Sequence, residues 1–527
     1  MQRNLIGIIE RANEKQIILS VSGTGDLSVR FPRESVPEAG FLKQLKEYKH
    51  DLIQYLKNID QPGAPPSAAV ENRNPGLMHE GRTYYEVGPE QNWWVKEGED
   101  EFKQNMFLSL HYKISGSFDV GCLEKTIAWL FERHESLRAT FRRIEDKYYM
   151  AVEDADSDVF RVGFRDVRHL PPAEKDDGCG DFLHFKEHAF DLKKGPLFLV
   201  RLVQTDDETF WLSMKIHHAI FDTWSFDVLV RDFWVAYRGL GAGVPFALPP
   251  LKYQYKDYMT RVNTFIRTNY RAHKAYWHSL YNALPGPVTI PGAGTRASHA
   301  ERVCRQEVFR LPKALLEGIH HLSRKHSTTA FIVLQAAFKQ YLSNLTGQRD
   351  LVIGTQVFGR DFLEGSEDQI GLYARMCAVR SIMRPTDSFE AAIRTVKKSN
   401  EDTQTYWAYP LFDMFQELMA EQPTEMDSFW KFHLQYQDGS LSAAADSEAP
   451  AAAPGNRFAI EEVPKEVNIS INLDMKLQFF HAKEHMTLKV TYDNNVYPSR
   501  LIGELMHNFV GFIDASVTST HPSLAYS

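Results

Sequence analysis

His217-His218-Ala219-Ile220-Phe221-Asp222-Thr223-Trp224-Ser225 is the stretch on which fold and chemistry turn. It follows a β-prone run, Trp211–Ile216. It precedes a segment in which Phe226, Leu229, Val230, Phe233, Trp234 and Tyr237 recur at helical spacing. The pattern predicts a strand, a short turn and a helix from about Ser225, with Asp222 and Thr223 where an N-cap is wanted. Adjacent side chains on a strand point to opposite faces, so the two histidines should not share a role: one faces a cleft and the other packs. A histidine at a strand end can take up a proton near neutral pH, as acyl transfer to an amine or hydroxyl requires, and His218 is the candidate base. An ordinary pair of packed histidines would read the same way. A metal site of His-His-Asp is the third reading, but HxxxH and HExxH spacings are absent and no metal ligands are assigned.

Outward from this stretch the chain alternates strands and helices from about residue 80 to its end. Thr328–Leu342 reads as an apolar helix and Leu351–Gly354 as a short strand. The class is α/β or α+β with mixed sheets. Asp438–Gly455, rich in Ala, Ser and Pro, reads as a mobile excursion. Residues 59–77, rich in Pro, Ala and Asn, read as a linker. Before the linker, residues 1–58 form a small unit. Leu5, Ile6, Ile8 and Ile9 suggest a short helix; Ile17–Val21 and Leu27–Phe31 are β-type runs joined by Ser22–Asp26; Phe41, Leu42, Leu45, Leu52, Ile53 and Leu56 recur at helical spacing. A helix, hairpin and helix of this size bury little on their own, which suits an appended recognition module. The unit carries nine basic against seven acidic residues, on a chain of net charge -8. Arg30, Arg33, Lys43 and Lys46 are its candidate docking residues. A solvated helix face would look the same.

Composition limits the rest. With 527 residues, 43% hydrophobic and 24% charged, the chain can build more than one domain around a large core. Its acidic balance gives no reason to expect nucleic acid or an anionic membrane. Cys122, Cys179, Cys304 and Cys377 are scattered with no CxxC pair, which fits a reducing cytoplasm. No apolar run approaches the length of a membrane span and no signal peptide is visible.

The chain resembles the condensation domain of nonribosomal peptide synthetases through an ordered series of motifs. Gly88–Trp94 loosely resembles the opening motif, and Arg133-His-Glu-Ser-Leu-Arg-Ala-Thr-Phe141 is close to RHExLRTxF. Phe190–Leu197 precedes the active strand as in the family. His217–Ser225 is the HHxxxDGxS motif, with Thr223 in place of glycine. Tyr255-Lys-Asp-Tyr258 and Tyr276-Trp277 resemble the next motifs, and Thr346–Arg360 is a strong match to the "tGqdDvviGtpvagR" stretch. Ile370-Gly-Leu-Tyr373 begins the IGxFVNT motif; Tyr409–Phe412 and Phe432–Gln437 approximate the last two. Residues 1–58 resemble the β-hairpin docking domains at the start of such synthetases.

The resemblance implies two chloramphenicol-acetyltransferase-like lobes in a V-shaped pseudo-dimer, at 78–250 and 251–527, with the motif midway along a tunnel between them. It implies a carrier protein that brings an acyl thioester on phosphopantetheine from one side, and a small-molecule or carrier-bound acceptor from the other. No cofactor is bound by the chain itself. His218 is implied to contact the acceptor nucleophile as base or orienter; Asp222 to be structural, paired with Arg360; His217 and Arg138 to support the motif by hydrogen bonds; the Thr223 backbone to border the reacting carbonyl. Trp224, Ser225, Tyr373 and Arg375 are substrate-channel candidates. Arg375 stands where the family motif has Asn, and could bind a carboxylate or be a surface residue. Tyr406 replaces a family histidine. An upstream synthase, peptide or polyketide, is the expected partner, captured through its acidic C-terminal docking tail by strand addition and charge. A dimer through the docking unit stays open. No adenylation or carrier segment is seen, so the chain is a free-standing, chain-releasing enzyme or a piece of a longer synthetase. A non-catalytic docking platform, an epimerising relative and a CoA-dependent acyltransferase are the alternatives.

Overall fold

Period-two and period-3.6 patterning set the elements, and the chain falls into two units, Met1–Arg73 and Asn74–Ser527. The computed structural model describes residues 18–21, 27–30, 41, 45–46, 48–49 and 53 of the first unit. Of the second it describes residues 76–98, 107–155, 160–185, 189–246, 248–295, 303–384, 386–421, 431–438, 458–463, 467–468, 473–482 and 485–520. In the first unit, β1 (Ile18–Val21) and β2 (Leu27–Arg30) pair antiparallel, Ile18 opposite Arg30 and Val21 opposite Leu27. Phe41 and Leu45, one helical turn apart, are both buried. The helix read over Leu5–Ile9, the loop Ser22–Asp26, most of the closing helix and nearly all of the linker lie outside the described residues.

The second unit begins with β3 (Leu77–His79), β4 (Arg82–Glu86), α1 (Pro89–Gly98), β5 (Phe107–Gly116), α2 (Val120–Arg133), β6 (Ala139–Ile144), β7 (Lys147–Val152) and β8 (Val162–Asp166). It continues with α3 (Pro172–Leu183), β9 (Phe198–Asp206), β10 (Thr209–His217), α4 (Thr223–Ala242) and α5 (Tyr255–Tyr281). Next come β11 (Cys304–Leu311), α6 (Lys313–Lys325), α7 (Ala330–Thr346), β12 (Asp350–Val357), β13 (Arg375–Ile382), α8 (Phe389–Thr405) and α9 (Leu411–Glu421). The chain closes with β14 (Phe432–Asp438), β15 (Phe458–Val463), β16 (Val467–Asn468), β17 (Met475–Ala482), β18 (His485–Asp493) and α10 (Ser499–Thr520). Among these helices none is long and apolar enough to cross a membrane.

Two mixed sheets each carry a core. One runs β15-β5-β10-β9-β8, with β16 also on β5; the other runs β11-β18-β17-β14-β12-β13. A smaller sheet, β3-β4-β7-β6, stands beside them. In β10 every residue from Leu212 to His217 is buried, so the strand is covered on both faces and loses the alternation of a half-exposed strand. The α4 stripe Phe226, Leu229, Phe233, Trp234 and Tyr237 is buried, each side chain contributing about 1.5–3 kcal/mol by its removal from water. The second core gathers α6, α7, α8 and α10 around β12, β14, β17 and β18.

The two halves of this unit are stitched together. Strand β15 leaves the second half and pairs antiparallel with β5, Phe458 opposite Gly116 and Val463 opposite His111. Tyr255, Tyr258, Met259, Val262 and Phe265 of α5 join the first core together with Phe362, Ile370, Leu372 and Tyr373. A cut at residue 250 would therefore strip the first lobe of a strand and of a large aromatic layer.

Candidate active site

β10 ends where His217 pairs with Phe107, and the chain turns at once through a short 3-10 helix, His218–Ile220, into α4. The two histidines separate there. His217 is 1% exposed and lies edge-on to Phe190, ring centroids 5.4 Å apart. Its Nδ1 accepts from the Ala219 amide at 3.1 Å. The neutral ring therefore carries its proton on Nε2, and protonating Nδ1 would break the cap. Burial, followed by the charges of His218 and Lys215, pushes the imidazole down to about 3. His218 is half-buried and stacks flat on Trp94, centroids 4.1 Å apart with 9° between planes. Its Nδ1 is buried with no partner among the described residues. Burial dominates in lowering it to about 4; backbone groups of His218 and Phe221 and the Asp222 carboxylate oppose the shift, and Lys476 on β17 adds to it. At neutral pH this is an uncharged imidazole, held in one plane and free to accept a proton.

Asp222 closes the turn as a five-fold hydrogen-bond acceptor. As N-cap of α4, its Oδ1 accepts from Ser225 N at 2.9 Å and Ser225 Oγ at 2.7 Å. Arg360 Nη2 donates to the same oxygen at 2.8 Å, while Oδ2 accepts from the amides of Tyr373 at 3.0 Å and Ala374 at 3.2 Å. Arg360 also donates to Ser225 Oγ at 2.9 Å and to the carbonyls of Ser366 and Gln369 at 2.5 and 2.7 Å. Both members of the ion pair are buried. Gly359, at φ +67°, makes the bend that presents Arg360; a Cβ there would collide with the Tyr373 carbonyl. Thr223 is the first residue of α4, and it is absent from the described non-glycine residues of positive φ, so its substitution for glycine strains no backbone.

Ser225 is fully buried and, its one hydroxyl proton given to Asp222, its Oγ accepts from the Gly371 amide at 3.1 Å; Tyr373 is 1% exposed and its hydroxyl donates to Gln369 Oε1 at 2.9 Å. The expectation that these two line a substrate channel is corrected: both are internal braces with no accessible surface to offer. Trp224 does face outward, 40% exposed, with its indole N–H on the Glu367 carbonyl at 3.1 Å and its ring against Phe358. Arg138 is a second correction. Its guanidinium donates to the carbonyls of Phe131 and Glu153, not to the histidine motif, and so ties the last turn of α2 to the residue after β7. The neighbouring Arg133 and His134 instead grip Asp232 of α4 at 2.8 and 2.9 Å, and Ser136 Oγ donates to the Ile370 carbonyl at 2.7 Å.

Arg375 is half-buried. Its guanidinium carbon lies 3.7 Å from the centroid of Trp407, and Nε and Nη1 are buried without partners among the described residues. Glu90, on the first turn of α1, is near enough to feel its charge, yet burial prevails and lifts the carboxyl to about 7. Glu90 and Trp94 stand four residues apart and so share one face of α1. Between them Gln91 Nε2 donates to the Ala219 carbonyl at 3.0 Å, fixing the active turn from the other side. Residue-by-residue reading missed Trp94, Glu90 and Gln91 as individual side chains; only the segment Gly88–Trp94 signalled them. Tyr406 stacks on Tyr276, centroids 3.8 Å apart. Of the candidate docking residues, Lys46 is exposed and Arg30 ends β2, while Arg33 and Lys43 lie outside the described residues.

A neutral imidazole beside a buried carboxylate clamp is suited to accepting a proton from a bound nucleophile. Comparison with known proteins gives the family. Residues 82–526 match the family model described as the condensation domain. The chain is 26% identical over 419 residues to the phosphinothricin tripeptide synthetase PhsB of Streptomyces viridochromogenes, covering 79% of this chain and 34% of that protein. It is 28% identical over 410 residues to tyrocidine synthase 3 of Brevibacillus parabrevis, covering 77% and 6%. It thus spans about a third or less of these relatives' lengths. Among solved structures, the X-domain from teicoplanin biosynthesis superposes with a TM-score of 0.69 at 20% identity over 84% of this chain and 96% of that one. The EpoB cyclization-docking bidomain from Sorangium cellulosum superposes with 0.67 at 15% over 97% and 98%.

Proposed function

Because this chain belongs to the condensation-domain family of the peptide synthetases, we propose that it transfers an acyl chain from a carrier-protein phosphopantetheine thioester to an amine or hydroxyl acceptor. The observation that carries the reading is His218: a neutral imidazole, stacked on Trp94 and set at the mouth of a turn locked by Asp222 and Arg360. The acceptor nitrogen attacks the thioester carbonyl; a C–N bond forms as the C–S bond breaks. A nitrogen that has just attacked carries positive charge and gives up its proton far more readily than a free ammonium, so a weakened imidazole suffices to take it. His218 then returns that proton to the departing thiolate, and the protein ends unchanged. An alcohol acceptor would follow the same course to an ester. Asp222 positions and does not transfer protons.

Residues 1–58 serve, in this reading, as the docking unit for the C-terminal tail of an upstream synthase. The paired strands β1 and β2 and the exposed Lys46 support it, as does the likeness to a cyclization-docking bidomain. The partner is a soluble synthase and the setting cytoplasmic. The test is intact-protein mass spectrometry of an acyl-loaded carrier protein incubated with this chain and a panel of amines and alcohols. Wild type unloads the carrier and yields an adduct; His218→Ala lowers the rate by 10²–10⁴-fold. Carrier binding without unloading would refute the condensing reading and leave a recruiting platform, the use suggested by a structural neighbour described as a complex of the X-domain with OxyB.

A further inference from the structure

Arg375 begins β13 directly after Tyr373 and Ala374, whose amides are pinned to Asp222, so its backbone is fixed to the histidine motif. The guanidinium lies over Trp407, and no described residue within hydrogen-bond or ion-pair distance satisfies it. The three N–H donors on Nε and Nη1, buried and unpaired, are costly to keep unless something accepts from them. Arg375 acts electrostatically on the Glu90 carboxyl, and the two form no ion pair within 4 Å among the described residues. Glu90 shares an α1 face with Trp94, on which His218 stacks. Arg375 is thus tied to the histidine motif through the two preceding residues, and its charge reaches α1, the helix that carries Trp94.

We propose that Arg375 binds a carboxylate of the acceptor, so that the nucleophile presented to His218 belongs to an amino or hydroxy acid bearing a free carboxylate. Two sources share this chemistry: the α-carboxylate of a free amino acid, and the side-chain carboxylate of an acidic residue whose α-carboxyl is masked. Glu90 modulates the site. It is faced by Arg375 and Cys377 on β13, Tyr255 and Tyr258 on α5, and Asp413 on α9. Protonated, it leaves Arg375 to the substrate; ionised, it competes for the guanidinium and repels an incoming carboxylate. Its carboxyl, raised to about 7 mainly by burial, changes state near neutrality. The affinity for an acidic acceptor should then weaken as pH rises through 7, and Glu90→Gln should flatten that dependence.

The inference rests on the condensing reading, and the experiment separates the two. Carrier unloading is measured with alanine, alaninamide and aspartic acid α-amide as acceptors, for wild type, Arg375→Gln and Arg375→Lys. Wild type should prefer an acid over its neutral counterpart by roughly 10–100-fold in kcat/KM, the loss expected for one charge-assisted pair. The ratio should fall towards one in Arg375→Gln and partly recover in Arg375→Lys. Alanine over alaninamide identifies the α-carboxylate; aspartic acid α-amide over alaninamide identifies the side chain. Turnover with no preference, or a preference that survives Arg375→Gln, overturns the inference and leaves the condensing reading standing. If wild type unloads nothing, the condensing reading falls and saturation-transfer NMR on the resting protein decides. Alanine or aspartic acid α-amide signals lost in Arg375→Gln would support the carboxylate site, and binding equal to that of alaninamide would overturn it.

Discussion

Replacing Arg360 with Met should destabilise the protein by about 3–5 kcal/mol, the cost of leaving a buried carboxylate without its counter-ion. Asp222 is 1% exposed and Arg360 7%. Methionine keeps most of the apolar stem and removes the donors to Asp222, Ser225 and the carbonyls of Ser366 and Gln369. Asp222 would keep four bonds, from Ser225 N and Oγ and from the amides of Tyr373 and Ala374. It would lose the one positive partner among them. Asp222→Asn alone strands the guanidinium in the same way. The double variant carries neither charge, so it should be more stable than the sum of the single losses predicts, by about 2–3 kcal/mol. Urea unfolding of the four proteins measures the cycle. Hydrogen exchange of the Tyr373 and Ala374 amides reads the same lock locally, and should quicken in Asp222→Asn. A single loss below about 1 kcal/mol, or strict additivity, would refute the reasoning, because it would mean that the pair is not a coupled buried unit.

Three further outcomes are expected. His217 and His218 are lowered to about 3 and about 4, whereas an unfolded histidine sits near 6.5. Below that value the unfolded chain binds protons the fold refuses, so stability is full above pH 6.5 and is lost as pH falls. The loss is about 2 kcal/mol per buried histidine by pH 5, less for the half-exposed His218; His217→Gln, which can still cap Ala219, should shrink the difference between urea midpoints at pH 7 and 5, and an unchanged difference would count against it. Trp94→Ala should cost about 3–5 kcal/mol and lower carrier unloading, whereas Trp94→Phe keeps a ring beneath His218 and most of the rate; equal rates in both variants would remove Trp94 from the site. Asp232→Ala leaves Arg133, His134 and Arg231 facing a void, and should cost about 3–5 kcal/mol in urea; a loss under 1 kcal/mol would show that the grip on α4 is idle.

Much of the site was legible because its signals are local. A β-prone run into His217, an acidic N-cap at Asp222 and a helical stripe from Phe226 are consecutive in sequence, and they became β10, a short turn and α4. The pairing partners of a strand are not local. Phe458–Val463 carries no mark that directs it to β5, some 350 residues upstream, rather than to the sheet of its own half. Its choice is made by which edge is free once both halves have folded, and edge availability is a property of the assembled sheets. The same holds for Arg138. It lies inside a motif that also contains Arg133, His134 and Ser136, and sequence alone could not say which of these reach α4 and the Ile370 loop.

Arg375 shows how far the unread part matters for specificity. From sequence it was equally a solvent-facing cation and a carboxylate binder, because a charge on a strand end does either. The difference lies in three groups distant in the chain: Trp407 under the guanidinium, Glu90 from α1 within reach of its charge, and the Asp222 clamp that holds the two preceding amides. The Trp407 ring covers the guanidinium, and none of the three supplies its Nε or Nη1 with a hydrogen-bond acceptor. Arg360, fifteen residues earlier, places four donations on described acceptors and leaves only Nε without one, whereas neither Nε nor Nη1 of Arg375 is satisfied among the described residues. The two arginines divide the labour: Arg360 spends four donations on the turn at Asp222 and the Ser366–Gln369 stretch, and Arg375 stays available for whatever enters.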